Sequence, residues 1–329
     1  MRRREINLRM MDGELIGVFG ANGFIGRHLT RRIAAQGFNA RAVSRRFHSE
    51  FVTEVSPTVE VVTADLNRPL ETLSALQGVD VAIQLISTSS PGLGNSHIVA
   101  DIEDNIIPHV EFLKSCIQAK VRKIIFVSSG GTVYGPGAPT PTPETAPTNP
   151  ISSHGLTKLV VEKYIQMFAS TDGIEYNILR LSNPYGQGQE FHKGQGLIPA
   201  VLEKYARGAP VEVYGTGNAR RDYIYISDVV DAIVLAIPFS ENGILNVGSG
   251  ESRSIIEVLD EIERYLPSPL ARRFITGRST DVELSVLDIT AARSKLNWHP
   301  KVPFSMGIAR TVAESRRLPL VNRAPNSSP

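Results

Sequence analysis

The chain has 329 residues, 42% of them hydrophobic and 21% charged, with 35 Lys and Arg set against 33 Asp and Glu; the length suggests roughly two domains. Glycine (27) and proline (21) are near average usage and apolar residues suffice for a sizeable core, so collagen-like and disordered chains are excluded. The balanced charge argues against nucleic-acid binding, and no run reaches the roughly 18 to 20 apolar residues of a membrane span, since VVDAIVLAI carries Asp231.

The first residues, MRRREINLRMM, are Arg-rich without the apolar region of a secretory signal. They read as a disordered leader, with Met10 or Met11 as an alternative start. Leu15 to Phe19 then reads as a strand, followed by a glycine-rich turn and the amphipathic stretch FIGRHLTRRIAAQG, whose Ile25, Leu29 and Ile33 recur at helical spacing. Strands at Asn39 to Ser44, at Val59 to Ala64, in VDVAIQLIS and in KIIFVSS continue the alternation, with helical segments between them. This pattern predicts an α/β fold with a doubly wound parallel sheet. Cys116, the single cysteine, lies among Leu113 and Ile117 and reads as a small buried hydrophobe. It excludes an internal disulfide and fits a reducing, cytoplasmic setting.

After Tyr134 the segment GPGAPTPTPETAPTNP holds too much proline for helix or central strand and predicts an extended surface loop. A helix follows from about Ser152 through Phe168. Beyond Asn183 the pattern breaks into short pieces between helical stretches such as LIPAVLEKYARG and IIEVLDEIERYL, which predicts a smaller C-terminal α/β domain.

The first chemical motif is Gly20-Ala21-Asn22-Gly23-Phe24-Ile25-Gly26, directly after a strand and opening a helix. Glycines allow a tight turn and close approach to a pyrophosphate, whose charge meets the N–H groups of the helix start. The alternative is a glycine-rich turn without a ligand. Where an acidic residue would bond an adenosine ribose, the second strand ends in Val43-Ser44-Arg45-Arg46. Ser44 and Arg45 suit a 2'-phosphate, the NADP pattern, although these arginines also read as a solvated turn.

These features, together with SSGGTVYG (Ser128 to Gly135), RLSNPYG (Arg180 to Gly186), RRDYIYISD (Arg220 to Asp228), NVGSG (Asn246 to Gly250) and LNWHP (Leu296 to Pro300), resemble the extended short-chain dehydrogenase/reductase family in its nucleotide-sugar branch. The likeness spans about Leu15 to Phe304 and is nearest to the UDP-glucose 4-epimerase-like members. It implies a Rossmann-like domain over 11–182, with 222–248 returning to it, a nucleotide-sugar domain over 183–320, and disordered ends at 1–10 and 321–329. It implies NAD or NADP as cofactor, held by Gly20, Gly23, Phe24, Ile25, Gly26, Ser44, Arg45, Asp65, Leu66, Leu85, Ser128 and Lys158. It implies a nucleoside-diphosphate sugar, of the UDP type, as substrate, with Asn105 beside the active-site helix and Tyr134 near the sugar. Asn183 and Arg221 would hold the diphosphate, Arg278 would be a second cationic clamp, and Val213 and Tyr214 would lie along the nucleobase. Arginine suits this task because its planar fork makes paired bonds to phosphate oxygens. A homodimer through the helices around Asn105 to Cys116 and Ser153 to Phe168 is also implied.

The departure lies at the family's catalytic pair, a tyrosine four residues before a lysine. This chain reads ISSHGLTK, so Lys158 stands but the tyrosine position is His154. The family's active-site serine or threonine position is Gly130, leaving Thr132 and Ser129 as nearby hydroxyls. A phenol needs its pKa of about 10 lowered before it can act as a base at neutral pH, whereas imidazole titrates near about 6.5, so His154 is chemically competent. An imidazole is shorter than a phenol, however, and Lys158 at i+4 disfavours its protonated form. Three readings stand: His154 moves the proton, it orients substrate while Tyr134 or Thr132 moves the proton, or catalysis is lost. A working histidine is expected to impose a limb on the pH–rate profile where imidazole titrates.

His192 and His299 are isolated and no metal site is expected; Trp298 reads as a packing residue. The reading that follows is a nucleotide-sugar 4-epimerase acting through His154, Lys158 and Thr132. The alternatives are an NADPH-dependent 4-keto-sugar reductase and a catalytically degenerate dinucleotide-binding protein. A dehydratase is disfavoured because Gly131 and Thr132 stand where that class places acidic residues before VYG.

Overall fold

The computed structural model describes residues 13–89, 95, 97–191, 196–277 and 283–315. The expected leader and C-terminal tail, and with them His192 and Arg278, lie outside the described residues. The first half alternates strand and helix: β1 (Leu15–Phe19), α1 (Phe24–Ala35), β2 (Asn39–Ser44), α2 (Ser49–Val55), β3 (Val59–Thr63), α3 (Pro69–Leu76) and β4 (Val81–Gln84). A helical run follows, made of α4 (Ile98–Asp101), a π-helical turn (Ile102–Ile106) and α5 (Ile107–Gln118). Then come β5 (Lys123–Ser129), the short α6 (Gly130–Val133), the proline-rich loop, α7 (Ser153–Asp172) and β6 (Glu175–Leu181).

Later elements are β7 (Asn183–Tyr185), α8 (Leu197–Ala206), β8 (Val211–Tyr214), β9 (Arg220–Tyr225), α9 (Ile226–Ala236) and β10 (Gly243–Val247). They continue with β11 (Ser252–Ser254), α10 (Ile255–Glu263), β12 (Arg272–Ile275), β13 (Leu284–Ser285), α11 (Thr290–Leu296) and α12 (Phe304–Ser315). The main sheet runs β3-β2-β1-β4-β5-β6-β10, and every pairing is parallel. It is the expected Rossmann-like doubly wound sheet. Smaller sheets join β7, β9, β11 and β13, and β8 with β12.

Because side chains alternate along a strand, each face of the main sheet has its own apolar layer. Ile16, Val18, Ala42, Ile83, Ile125 and Val127 belong to one buried cluster, which includes Leu29 of α1 and Val230 of α9. Phe19, Val43, Ala82, Ile124 and Phe126 belong to the other, with Leu76, Phe112, Val161 and Ile165. Cys116 is in this second layer, where burial pushes its thiol up, as its reading as a buried hydrophobe requires. Trp298 is likewise buried and donates its indole N–H to the Asp228 carbonyl at 3.0 Å. Among the described residues no helix is long and apolar enough to cross a membrane.

Two elements end differently from the sequence reading. β3 stops at Thr63 rather than Ala64, and α7 runs past Phe168 to Asp172, where Gly173 closes it in the left-handed conformation (φ 75°). At its start the Ser152 hydroxyl accepts the Gly155 N–H at 3.2 Å. Lys123, buried at the start of β5, donates to the carbonyls of Ala236, Ile237 and Phe239, so it ties the end of α9 back to the sheet.

A buried ion pair joins α7 to β6. Glu162 and Arg180 are 1% and 2% exposed, and the guanidinium meets the carboxylate at 2.6 Å from Nη2 and 3.1 Å from Nε. The Ser128 hydroxyl donates to the same carboxylate. Removing one partner strands a buried charge, whereas removing both leaves none. Arg180→Leu is therefore expected to lower unfolding free energy by about 3–5 kcal/mol, and Arg180→Leu with Glu162→Leu to recover much of that loss in urea titration.

Candidate active site

All strands of the main sheet point one way, so their ends share one edge. Gly20 follows β1, Ser44 closes β2, Asp65 follows β3, Leu85 follows β4 and Ser128 lies near the end of β5. The order changes direction between β1 and β4, which opens a crevice at that edge. Gly20 takes a positive φ (92°), and its N–H and that of Ala21 donate to the Val43 carbonyl at 2.8 and 3.1 Å. A Cβ on Gly26 would run into the Gly20 carbonyl, so only glycine lets α1 approach the turn this closely. The first turn of α1 has neither a side-chain cap nor an acidic residue, which leaves its N–H groups for an anion. This cradle fits a dinucleotide pyrophosphate.

Around it, Phe24 and Ile25 are half-buried against the core and Leu66 is buried. The Asp65 carboxylate accepts the Asn67 N–H at 3.0 Å, and Leu85 donates its N–H to Phe19 at 2.9 Å. Ser44 is half-buried, while Arg45 and Arg46 are exposed beside the turn. Asn22 accepts the His48 N–H at 3.2 Å, so the arginine loop and the glycine turn are joined. On the other side Arg27 bridges the Asn22 carbonyl (3.0 Å) and the Gly188 carbonyl (2.8 Å), and His28 Nε2 meets the Gln187 carbonyl at 2.8 Å.

His154 and Lys158 lie one turn apart near the start of α7, both buried. Gly155 brings that start against α6, since a Cβ there would sit 2.6 Å from the Thr132 carbonyl. The Thr132 hydroxyl is buried without a hydrogen-bond partner among the described residues. His154 Nδ1 meets the Ser89 hydroxyl at 2.8 Å. Lys158 donates to the Val127 carbonyl at 3.0 Å, with its ammonium 4.8 Å from the centre of the Phe126 ring. Burial, and then the Lys158 charge, push the His154 imidazole down to about 3. It is neutral at pH 7, and a pH–rate limb in the ordinary imidazole range is not expected from it. Burial also pushes Lys158 down to about 8, partly offset by Glu162.

A small cavity lies beside Lys158, lined by Ser87, Asn105, His109, Phe126, Thr157 and Val161. Asn105 belongs to the π-helical turn; its Oδ1 accepts the Thr88 N–H at 2.8 Å, while its Nδ2 is buried without a partner among the described residues. Burial and the Lys158 charge hold His109 down to about 3 as well.

Gly130 is packed. A Cβ there would meet Leu287 Cδ1 at 2.6 Å, so the apolar Leu287 occupies the space of the missing serine side chain. Three expected contacts fall elsewhere. Tyr134 is buried, and its hydroxyl donates to Asn246 Oδ1 at 2.7 Å with Arg180 over its ring. The Ser128 hydroxyl is turned to Glu162 rather than to a cofactor. Val213 points into the core by strand alternation, while its neighbour Tyr214 in the same expected pair points out.

On the substrate side, Asn183 Nδ2 donates to the Asp222 carbonyl at 2.8 Å, and β7 and β9 lie side by side, with Asn183 opposite Tyr223. Arg221 is half-buried on β9, opposite Arg253 of β11, so two guanidinium groups project from one face. Asp222 instead faces the Ser249 and Gly250 N–H groups at 2.8 and 3.2 Å. Ser89, His109, Glu162 and Leu287 escape a reading of the sequence, because none belongs to a motif with fixed spacing. Among the described residues no three His, Cys, Asp or Glu side chains gather as a metal site.

A sequence profile of the NAD dependent epimerase/dehydratase family matches residues 16–248. A dTDP-4-dehydro-6-deoxyglucose reductase of Escherichia coli is 34% identical over 93% of this chain and 99% of its own length. A UDP-glucose 4-epimerase of Mycolicibacterium smegmatis is 32% identical over 90% of this chain and 96% of its own. The crystal structure of the Thermus thermophilus UDP-glucose 4-epimerase, in complex with NAD, superposes with a TM-score of 0.85 at 29% identity, covering 92% of this chain and 99% of that one.

The two depressed histidines link stability to pH. Their folded values, about 3, lie below the ordinary unfolded value, so the stability they contribute is complete above about pH 6.5 and is lost as pH falls towards 3. Each held-neutral histidine adds about 1.4 kcal/mol per pH unit to the loss well below about pH 6.5. His109→Gln is expected to make the slope of unfolding free energy between pH 6 and 5 shallower by up to that amount, as read by urea titration.

Proposed function

The chain belongs to the NAD dependent epimerase/dehydratase family, and we propose that it acts as a nucleotide-sugar 4-epimerase on a UDP-hexose. The observation that carries the reading is the His154 and Lys158 pair on α7, set against the loop after β4 and against β5, with the imidazole neutral. When bound, the nicotinamide cofactor supplies reversible hydride transfer at C4 of the sugar. The neutral His154 takes the proton of the 4-hydroxyl at Nε2 and, as a weak base, readily gives it back after the ring has presented its other face. Hydride and proton both leave and both come back, so the reaction is redox-neutral overall.

Lys158 holds the cofactor ribose, and its positive charge disfavours the protonated form of His154. Gly20, Gly23 and Gly26 seat the pyrophosphate. Asn183 and Arg221 face the sugar diphosphate, with Arg278 as the third partner, and Thr132 supplies a hydroxyl near the sugar. We assign the protein to the cytoplasm from its single buried cysteine. We also assign it a homodimer through the exposed Ile98, Val99, Ile102 and Ile107 of the α4 to α5 run and Leu156 and Met167 of α7. Leu156→Glu is expected to yield a monomer in light scattering.

A second reading has its own support: Ser44 and the exposed Arg45 suit the 2'-phosphate of NADPH, and the relative with 34% identity is a 4-keto-sugar reductase. The deciding experiment denatures the purified protein, identifies the released dinucleotide, and incubates native protein with UDP-glucose. Retained dinucleotide and formation of UDP-galactose support the epimerase. Reduction of a 4-keto sugar by NADPH without interconversion supports the reductase.

For the epimerase, kcat/KM is expected to stay flat from pH 7 to 5 and to fall above about 8 as Lys158 loses its charge. His154→Ala is expected to lower kcat by about a hundredfold or more.

A further inference from the structure

We propose that Ser89 is a positioning residue for His154, fixing the imidazole with its proton on Nδ1 and its lone pair on Nε2. The inference rests on the proposed role of His154, but its geometry is separate from that role. Ser89 is buried in the loop after β4, and its hydroxyl lies 2.8 Å from His154 Nδ1. Ser87 Oγ lies 3.3 Å from Ser89 Oγ and 3.4 Å from the Ser89 carbonyl. A carbonyl only accepts, so in the proposed order the Ser87 hydroxyl donates to it and its oxygen accepts the Ser89 proton. The Ser89 oxygen then accepts from His154, which places the imidazole proton on Nδ1. The reverse order, with Ser87 donating to Ser89 Oγ, would put the imidazole proton on Nε2.

Nδ1 of His154 meets the Ser89 hydroxyl, and Nε2 is the nitrogen assigned here to receive a proton. The loop is held for this task. Asn105 of the π-helical turn accepts both the N–H and the hydroxyl of Thr88, at 2.8 and 3.2 Å, between the two serines. With Gly130 lacking a hydroxyl and Leu287 filling its space, the hydroxyl that touches the imidazole comes from the end of β4 rather than from the end of β5. The opposite tautomer would turn Nε2 into a donor, unable to take a proton from a sugar hydroxyl.

The test is nitrogen-15 NMR of the histidine side chains in the full-length protein at pH 7, with His154→Gln assigning the signal, beside kinetics on UDP-glucose for Ser89→Ala and Ser89→Thr. The expected spectrum has the His154 proton on Nδ1 in the wild type and a tautomer mixture in Ser89→Ala. The expected kinetics are a kcat reduced about ten- to a hundredfold in Ser89→Ala, a KM within twofold, and recovery in Ser89→Thr. A wild-type proton on Nε2, or a Ser89→Ala spectrum identical to the wild type, overturns the inference. The spectrum needs no turnover, so it judges Ser89 even if His154→Gln keeps full activity, a result that would overturn only the acid/base role.

Discussion

Helix α7 carries three ionisable side chains in a row, His154, Lys158 and Glu162, each four residues from the next and all buried against the sheet. A helix face of that kind is costly to bury unless every charge finds a partner. Glu162 finds Arg180 and the Ser128 hydroxyl, and Lys158 finds a carbonyl of β5 and the face of Phe126. With those partners in place, the third member of the row, His154, is presented at the sheet edge in a fixed position. The site chemistry therefore depends on packing two turns away from it.

The same row explains why an imidazole can stand where the related enzymes place a phenol. A phenol must be pushed down by a neighbouring cation to become a base, whereas the imidazole is already unprotonated at neutral pH, and burial and the same cation disfavour its protonated form. Burial alone would not distinguish the two nitrogens of the ring. The loop after β4 does, because its Ser89 hydroxyl meets Nδ1 and leaves Nε2 to the reacting side. At the end of β5, Leu287 fills the space beside Gly130 with apolar atoms.

Much of the fold was legible in the sequence because it is written in local periods. The helical recurrence of Ile25, Leu29 and Ile33, the apolar runs of the parallel strands and the glycines of the turn all state their geometry within a dozen residues. The pair His154 and Lys158 was legible for the same reason, being one helical turn. Ser89 against His154 and Glu162 against Arg180 are separated by 65 and 18 residues, and no local spacing announces them. The directions of Tyr134 and Val213 were not legible, because a motif gives a residue's position on the chain but not the direction of its side chain. The hydroxyl of Tyr134 had a nearer partner in Asn246, and alternation along β8 turned Val213 inward.

Arg27 and His28 project from the helix that opens at the glycine turn and hold the carbonyls of Gln187 and Gly188, just beyond the strand that carries Asn183. Arg27 also grips the turn itself through Asn22. The seat of the dinucleotide and the approach to the sugar are thus clasped to each other by two side chains. A cofactor escaping from its cradle has to loosen the same clasp that shapes the sugar entrance. Residence time of the dinucleotide and gating of the sugar become a single mechanical property of this junction, which suits an enzyme whose cofactor must remain in place from one catalytic cycle to the next.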